Sequence, residues 1–250
     1  MSNDDSCLVT YLSAYMRLSA DDHELIARFE LDERTYSAES VLLRRGDIVH
    51  ELLVVKRGWL YASTDLADGR RHIVRTYHAG DIIGLGELAV PSASVQLTAC
   101  TEVCVCPFPK EELGLVFTRA PKLAALLLAL SARDQVLLVD HLRAMARMGA
   151  KERVLFALLS WLHRLSVTNR SMSDTFALRL NQTQIGDLLG LTNVSVSKAL
   201  VELESEGHVA RRRQELTLVN VPALTRRVDF VDRYTTLDLS WFPSQDRADT

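Results

Sequence analysis

The chain has 250 residues, 48% of them apolar and 24% charged, with a formal net charge of −3 at pH 7. That length suggests about two domains and leaves ample material for their cores. The acidic balance excludes a protein that coats nucleic acid with its whole surface, so any DNA-binding charge has to be local.

The first ten residues carry Asp4 and Asp5 where a secretory segment would carry Lys or Arg. The longest apolar run, Leu123 to Leu130, falls far short of the ~20 residues that span a bilayer. A cytoplasmic location without a membrane partner is therefore expected. The four cysteines, Cys7, Cys100, Cys104 and Cys106, should then be reduced thiols unless they bind something.

In chain order, Leu8, Tyr11, Leu12, Tyr15 and Met16 fall at helical spacing. A short helix is predicted from Ala20 to Phe29, opened by Asp21 or Asp22, with Leu25, Ile26 and Phe29 on its apolar face. Residues 35–108 then read as short strands with glycine at the turns, among them Arg45-Gly46-Asp47, Lys56-Arg57-Gly58, Ala67-Asp68-Gly69-Arg70 and Ala79-Gly80-Asp81. Strands at such intervals predict a β-sandwich or β-roll, ended by Pro107 and Pro109.

Pro121 suits the first turn of a helix, and Lys122 to Met148 contains neither Gly nor Pro. One helix of about 27 residues is predicted there, with Leu123, Leu127, Leu130, Leu137, Val139, Leu142 and Met145 along an apolar stripe. A helix this long packs against a partner, so Leu130, Leu137, Leu142 and Met145 are candidate contacts to a second copy of the chain; the alternative is packing against its own β domain, and the stripe is wide enough for both. After a possible hinge at Gly149, another helix is predicted from Lys151 to Leu165, then a polar loop over residues 166–175. The tail, 226–250, turns polar after Trp241 and is expected to be loose at its end.

The most informative stretch is Gln182 to Leu203. Thr183 is a candidate cap for a first helix, with Ile185, Leu188 and Leu189 inward; Gly186 sits where two helices would cross, and Gly190 where the first must stop. Thr192 is a candidate cap for a second helix with Val196, Ala199, Leu200 and Leu203 inward. That pattern is helix, tight turn, helix. It leaves Asn193, Val194, Ser195, Ser197 and Lys198 to meet base edges and phosphates, with Thr183, Gln184 and Thr192 beside them. Two short strands follow, His208–Arg212 and Glu215–Val219, with Arg211, Arg212 and Arg213 at the turn where a wing meets phosphates. From Phe176 to Arg227 there are seven basic and five acidic residues, a net of +2, which leaves −5 on the rest.

Gln184-Ile185-Gly186-Asp187-Leu188-Leu189-Gly190-Leu191-Thr192, Val196-Ser197-Lys198-Ala199-Leu200, Leu203-Glu204 and Glu206-Gly207 resemble the cyclic-AMP receptor protein and fumarate-nitrate regulator family. Upstream, Gly80-Asp81-Ile82-Ile83-Gly84 and Gly86-Glu87-Leu88 resemble its β-roll signatures, and Glu102-Val103 through Pro107 its last roll strand. The resemblance spans roughly residues 20–220 and implies an α+β chain: an N-terminal cyclic-nucleotide-binding-like β-roll (jelly roll), a long dimerisation helix and a C-terminal winged helix-turn-helix. In residues, these are a lead-in over 1–22, an effector or sensor roll over 23–120, the dimerisation helix over 121–148, the DNA-binding domain over 149–225 and an extension over 226–250. It also implies a homodimer that reads a near-palindromic site in double-stranded DNA and acts on RNA polymerase.

Departures from the family pattern narrow what is expected. Val194 stands where well-known members have a base-reading Glu, and Lys198 where they have Arg, so a different site sequence is expected. The candidate effector pocket is Gly86, Glu87, Leu88, Ser92 and Ala93, but Pro91 occupies the position of the Arg that pairs a cyclic phosphate. This speaks against cyclic AMP. An iron-sulfur cluster is not expected either, because only Cys7 lies near the N-terminus. Cys104 and Cys106 share a strand face and, with Cys100, read as small buried apolar residues, the alternative being a thiol switch or metal site. The effector, small-molecule or redox, stays unassigned, and the cofactor is unknown. No phosphate loop, nucleophile elbow, zinc spacing or convincing carboxylate pair points to an enzyme. The competing reading is an effector- or redox-sensing module whose helix-turn-helix makes protein contacts only.

Overall fold

The computed structural model describes residues 6–243. Asp4 and Asp5, and the polar tail from residue 244 on, lie outside the described residues. Helix α1 (Cys7–Leu12) is capped by Ser6, whose Oγ accepts from the Val9 amide at 2.9 Å. Helix α2 (Ala20–Phe29) has the predicted bounds, but its cap lies two residues before Asp21. Ser19 is its cap, and Asp22 closes the reciprocal capping box from the third helical position.

The strands β1 (Arg34–Tyr36), β2 (Val41–Leu43), β3 (Glu51–Arg57), β4 (Leu60–Asp65), β5 (Arg71–Tyr77), β6 (Ile82–Ile83), β7 (Gln96–Ala99) and β8 (Val103–Pro109) follow. They form two four-stranded antiparallel sheets, β1-β8-β3-β6 and β2-β7-β4-β5. Val55, Leu60, Leu97, Ala99, Val103 and Val105 form one buried cluster within this roll. The turn glycines are required by shape: Gly58 has φ +91°, and a Cβ there would stand 2.4 Å from the Glu102 carbonyl. Pro107 does not end the strand region. It pairs with Leu53 inside β8, whose partner on the far side, β1, covers only 103–105, so a missing N–H is tolerated there.

Helix α3 (Glu112–Arg119) leads into α4 (Pro121–Arg147), the long helix, with proline at its first turn. Phe29, Leu52, Phe108, Leu123, Leu126 and Leu130 join α1 to α4 and the outside of the first sheet in a second core. Leu130 is therefore spent on the chain's own core and is not a contact to a second copy. Among the described residues no single helix is long and apolar enough to cross a membrane; α3 with α4 passes by length and composition only, is bent by 118°, and packs Leu113, Val116, Leu123, Leu126, Leu127 and Leu130 in this core.

Helix α5 (Ala150–Thr168) precedes β9 (Thr175–Ala177), α6 (Gln182–Leu189), α7 (Asn193–Ser205), β10 (Val209–Arg212), β11 (Glu215–Leu218) and α8 (Val221–Arg227). The sheet β10-β11-β9 is the wing with a third strand from before α6. The core of this half, built on Leu155, Leu158, Ile185, Leu200 and Leu216, is continuous with Trp59, Tyr61 and Ile73 of the roll. Beyond α8 the chain does not trail away. Phe230 is buried, and the segment runs back along α5 and α4 to the turn after α1, where Tyr15 Oη donates to the Tyr234 carbonyl at 2.6 Å. Leu237 and Phe242 pack on the second core.

Candidate nucleic-acid interface

Helix α6 stops because Gly190 adopts the left-handed conformation, φ 63° and ψ 38°, which no side chain tolerates as cheaply. Gly186 lies where the helices meet: a Cβ on it would stand 2.5 Å from the Leu191 carbonyl oxygen. Thr192 caps α7, its Oγ1 accepting from the Ser195 amide at 3.1 Å. Val196, Ala199, Leu200 and Leu203 face inward, as the spacing predicts. The other side of α7 is open. Asn193 and Lys198 are exposed, Ser195 and Ser197 are half-buried beside them, and Val194 is 72% exposed.

Two of the expected residues are placed otherwise on α6. The cap is Asn181, not Thr183, which stands exposed in the first turn. Gln184 is only 4% exposed, because its Oε1 accepts from the Asn181 amide at 2.9 Å while its own amide donates back to Asn181 Oδ1. It builds the helix end, and its side-chain oxygen is committed there. A polar residue three positions after Asn is the capping-box signature, so the sequence carried the signal for this role.

The wing forms with Val209 to Arg212 paired against Leu218 to Glu215. Arg213 occupies the turn at φ 57° and, like Arg212, is exposed. Arg211 is tied to Glu204 of α7 at 2.7 Å, so it braces the wing against the second helix. Lys198 stands 3.9 Å from Glu202, an exposed pair that ties up its ammonium only weakly. Arg179, at the mouth of α6, is exposed and donates to Gln214 of the wing at 2.8 Å. It lies outside the helix-turn-helix pattern, and only its charge and place before α6 mark it.

The helix-turn-helix is also held by the roll. Arg71 pairs with Asp187 of α6 at 2.7 Å, and the His72 ring is 3.0 Å from the Asp187 carbonyl. Trp161 of α5 donates to Thr76 Oγ1 at 3.1 Å. Deeper in, Arg164 of α5 and Asp81 of the roll pair at 2.7 Å with both side chains buried. Burial alone would raise the Asp81 carboxyl, yet the guanidinium beside it holds it well below the usual range.

The expected effector pocket is only partly assembled. A cavity of about 370 Å³ lies between the roll, α4, α5 and the segment after α8; Gly86 and Glu87 line it, and Leu88, Ser92 and Ala93 are absent from its wall. Ala93 is buried and bonded to the Asp47 turn, Ser92 forms an isolated bridge with Ile48, and Leu88 faces outward. Glu87 Oε1 accepts from the Ser94 amide at 2.9 Å and from its hydroxyl, so the carboxylate is committed within the roll. Leu137 also lines the cavity, while Met145 turns toward Gly190. Leu142 is 57% exposed on α4, with Leu128, Leu138 and Val139 exposed along the same helix. Burial pushes the Cys100 and Cys106 thiols up to about 12 and raises Cys104 as well, which leaves them weak nucleophiles.

Two family models match the chain: a cyclic nucleotide-binding domain over residues 33–119 and a Crp-like helix-turn-helix domain over 152–227. The chain is 31% identical over 175 residues to the nitrogen fixation regulation protein FixK of Bradyrhizobium diazoefficiens, covering 70% of this chain and 73% of that protein. It is 27% identical over 233 residues to the transcriptional regulatory protein btr of Bordetella pertussis, covering 89% and 92%. The solved structure of FixK2 from Bradyrhizobium japonicum superposes with a TM-score of 0.68 at 26% identity, covering 78% of this chain and 96% of that one. The roll, the long helix and the winged helix-turn-helix thus belong to one architecture, and the chain is a member of the cyclic-AMP receptor protein and fumarate-nitrate regulator family of DNA-binding transcription regulators.

Proposed function

We propose that the chain acts in the cytoplasm as a homodimer that places two α7 helices in successive major grooves of double-stranded DNA and touches RNA polymerase, without catalysing a reaction. The observation that supports this most is the two-sidedness of α7: an apolar face buried in its own domain, and Asn193, Val194 and Lys198 left outward beside an exposed basic wing. Residues 149–225 then form the DNA-binding domain, 121–148 the dimerisation helix and 23–120 the sensor. Thr192, Asn193, Val194, Ser195, Ser197 and Lys198 read the groove, with Thr183 at its margin, and Arg212 and Arg213 hold phosphates.

The sensor half takes a small molecule rather than a redox signal: Cys104 and Cys106 are buried, Cys100 is half-buried, and burial raises all three thiols. Occupancy shifts the balance between two arrangements of the DNA-binding half against the roll, through α4, α5 and the Arg71–Asp187 contact. Fragments selected from genomic DNA, bound again in gel shifts across a salt series, test the reading. Binding that weakens steeply with salt and selects a near-palindrome is expected; absence of DNA binding at any salt would leave protein contacts as the output.

A further inference from the structure

The segment after α8 lies beyond the helix-turn-helix match, which ends at residue 227, yet it is tied to α4 and α5. Asp229 pairs with Arg143 at 2.6 Å, Arg233 with Asp140 at 3.2 Å and Asp232 with His163 at 3.1 Å. These bonds run to α4 and α5, and between them Phe230, Val231 and Tyr234 form one side of the cavity. The cavity is thus walled at once by the roll, the long helix, the DNA-binding half and the end of the chain.

The walls define what fits. Much of the lining is apolar or aromatic, including Val74, Leu97, Leu137, Phe156 and Trp161. Most charged groups on it are already ion-paired, Arg75 with Asp134 at 2.6 Å, Arg164 with Asp81 at 2.7 Å, Arg133 with Asp134 at 3.0 Å and Asp140 with Arg233, while the Glu87 carboxylate accepts from Ser94. A charged ligand would have to lose its water and break one of these pairs. Polar capacity is left over all the same. Both ring nitrogens of His78, Nη1 of Arg164 and Nε2 of His141 are buried, and among the described residues they have no hydrogen-bond partner. His78 Nδ1 stands 3.8 Å from Asp81 Oδ2, too far for a hydrogen bond. Buried donors and acceptors of this kind are met by water or by a ligand.

We infer that this cavity binds an uncharged, largely apolar small molecule carrying one or two hydrogen-bonding groups for His78 and Arg164, and that the segment 229–234 is its lid. The inference rests on reading the roll as a sensor and deepens it. The lid leads directly out of α8, so a ligand seated beneath it contacts the DNA-binding half without an intermediary.

The neutral fluorophore N-phenyl-1-naphthylamine, titrated into the full-length protein, tests this. Saturable binding at one site per subunit in the micromolar range is expected, with quenching of tryptophan emission through Trp161 and no displacement by cyclic AMP. Val231→Trp, at a 44% exposed lid position, and Ala157→Phe, on the α5 wall, should each weaken binding at least about tenfold. Asp232→Asn should speed dissociation of the probe. Should Ala157→Phe fail to fold, Val231→Trp carries the test. No saturable binding, binding that Val231→Trp leaves unchanged, or displacement by cyclic AMP overturns the inference. Gel shifts on the same preparations separate the two readings: intact DNA binding with no probe site sinks this inference alone.

Discussion

Arg164 of α5 and Asp81 of the roll are ion-paired at 2.7 Å with both side chains almost wholly buried. The Arg164 guanidinium also lies 4.3 Å from the centre of the Tyr11 ring and donates to the Ala79 carbonyl at 3.1 Å. One arginine therefore joins the helix that carries the DNA-binding half to the roll and to the N-terminal helix. Asp81→Asn removes the compensating charge and should destabilise the protein by about 3–5 kcal/mol in urea denaturation. Asp81→Asn with Arg164→Met should recover part of that loss, because the stranded charge is gone. A double variant as unstable as the single one would show that the pair's geometry, rather than its charge balance, is what matters.

Acid should weaken the fold in two stages. Burial lowers the pKa of His78 and of His141, so the folded state disfavours their charged forms. The unfolded chain then binds more protons below the ordinary histidine value of about 6.5, and stability falls as pH drops through that point, by up to ~1.4 kcal/mol per pH unit for each group. The depressed Asp81 works at lower pH: its contribution is present above the ordinary carboxylate value of about 4 and is lost as pH falls through the folded value beneath it. Urea unfolding at pH 7.5 and 5.5 checks the first stage. His78→Phe should flatten the difference, and an equal pH dependence in that variant would assign the loss elsewhere.

Gly186→Ala should damage DNA binding more than helix propensity alone suggests. The new methyl would meet the Leu191 carbonyl at 2.5 Å, and backbone does not move aside as a side chain does. The intrinsic gain of about 1 kcal/mol for Ala over Gly in a helix is opposed by overpacking worth about 1–3 kcal/mol. The expected outcome is a lower melting temperature together with weaker gel-shift binding, since separating α6 from α7 re-aims the helix proposed to read the groove.

Much of this architecture was legible in local pattern. The span of α4, the stop at Gly190, the Thr192 cap and the inward face of α7 follow from spacings within one or two turns, and each is seen in the structure. Gln184 was misread because a polar residue in a helix-turn-helix suits a groove contact as well as a capping box, and only the geometry of Asn181 separates the two. The stripe on α4 was ambiguous for a related reason. The helix has more than one apolar face, and Leu130 belongs to the one turned inward. The segment after α8 was not legible at all, because its contacts, such as Tyr15 with Tyr234 at a separation of 219 residues, leave no local periodicity.

The outward face of α4 gives the proposed homodimer its test. Leu128, Val139 and Leu142 recur at near-heptad spacing and are exposed, while the inward residues of the same helix are already packed. Val139→Asp with Leu142→Arg should leave the folded subunit close to its normal stability, since neither side chain is buried within it. It should shift the protein to a monomer in sedimentation at about 10 µM and weaken DNA binding by orders of magnitude, because two half-sites are then no longer held by one particle. A dimer that survives both changes would place the contact elsewhere.

Val194 offers the sharpest test of the proposal that α7 reads bases. At 72% exposure in the first turn of α7, it has no hydrogen-bonding group and is limited to apolar contact, such as with a thymine methyl. Val194→Glu adds an acceptor at the same place without disturbing the core, since Val196 and Leu200 face the other way. Site selection with this variant should recruit cytosine at one position in each half-site, with a discrimination of about 1–3 kcal/mol over the wrong base. Salt dependence should change little, because no phosphate contact is lost. Lys198→Ala should do the reverse, flattening the salt slope by about one unit while leaving the preferred base at the Val194 position intact. If both variants bind the original sites with unchanged preference and unchanged salt slope, α7 does not enter the groove by its N-terminal turn.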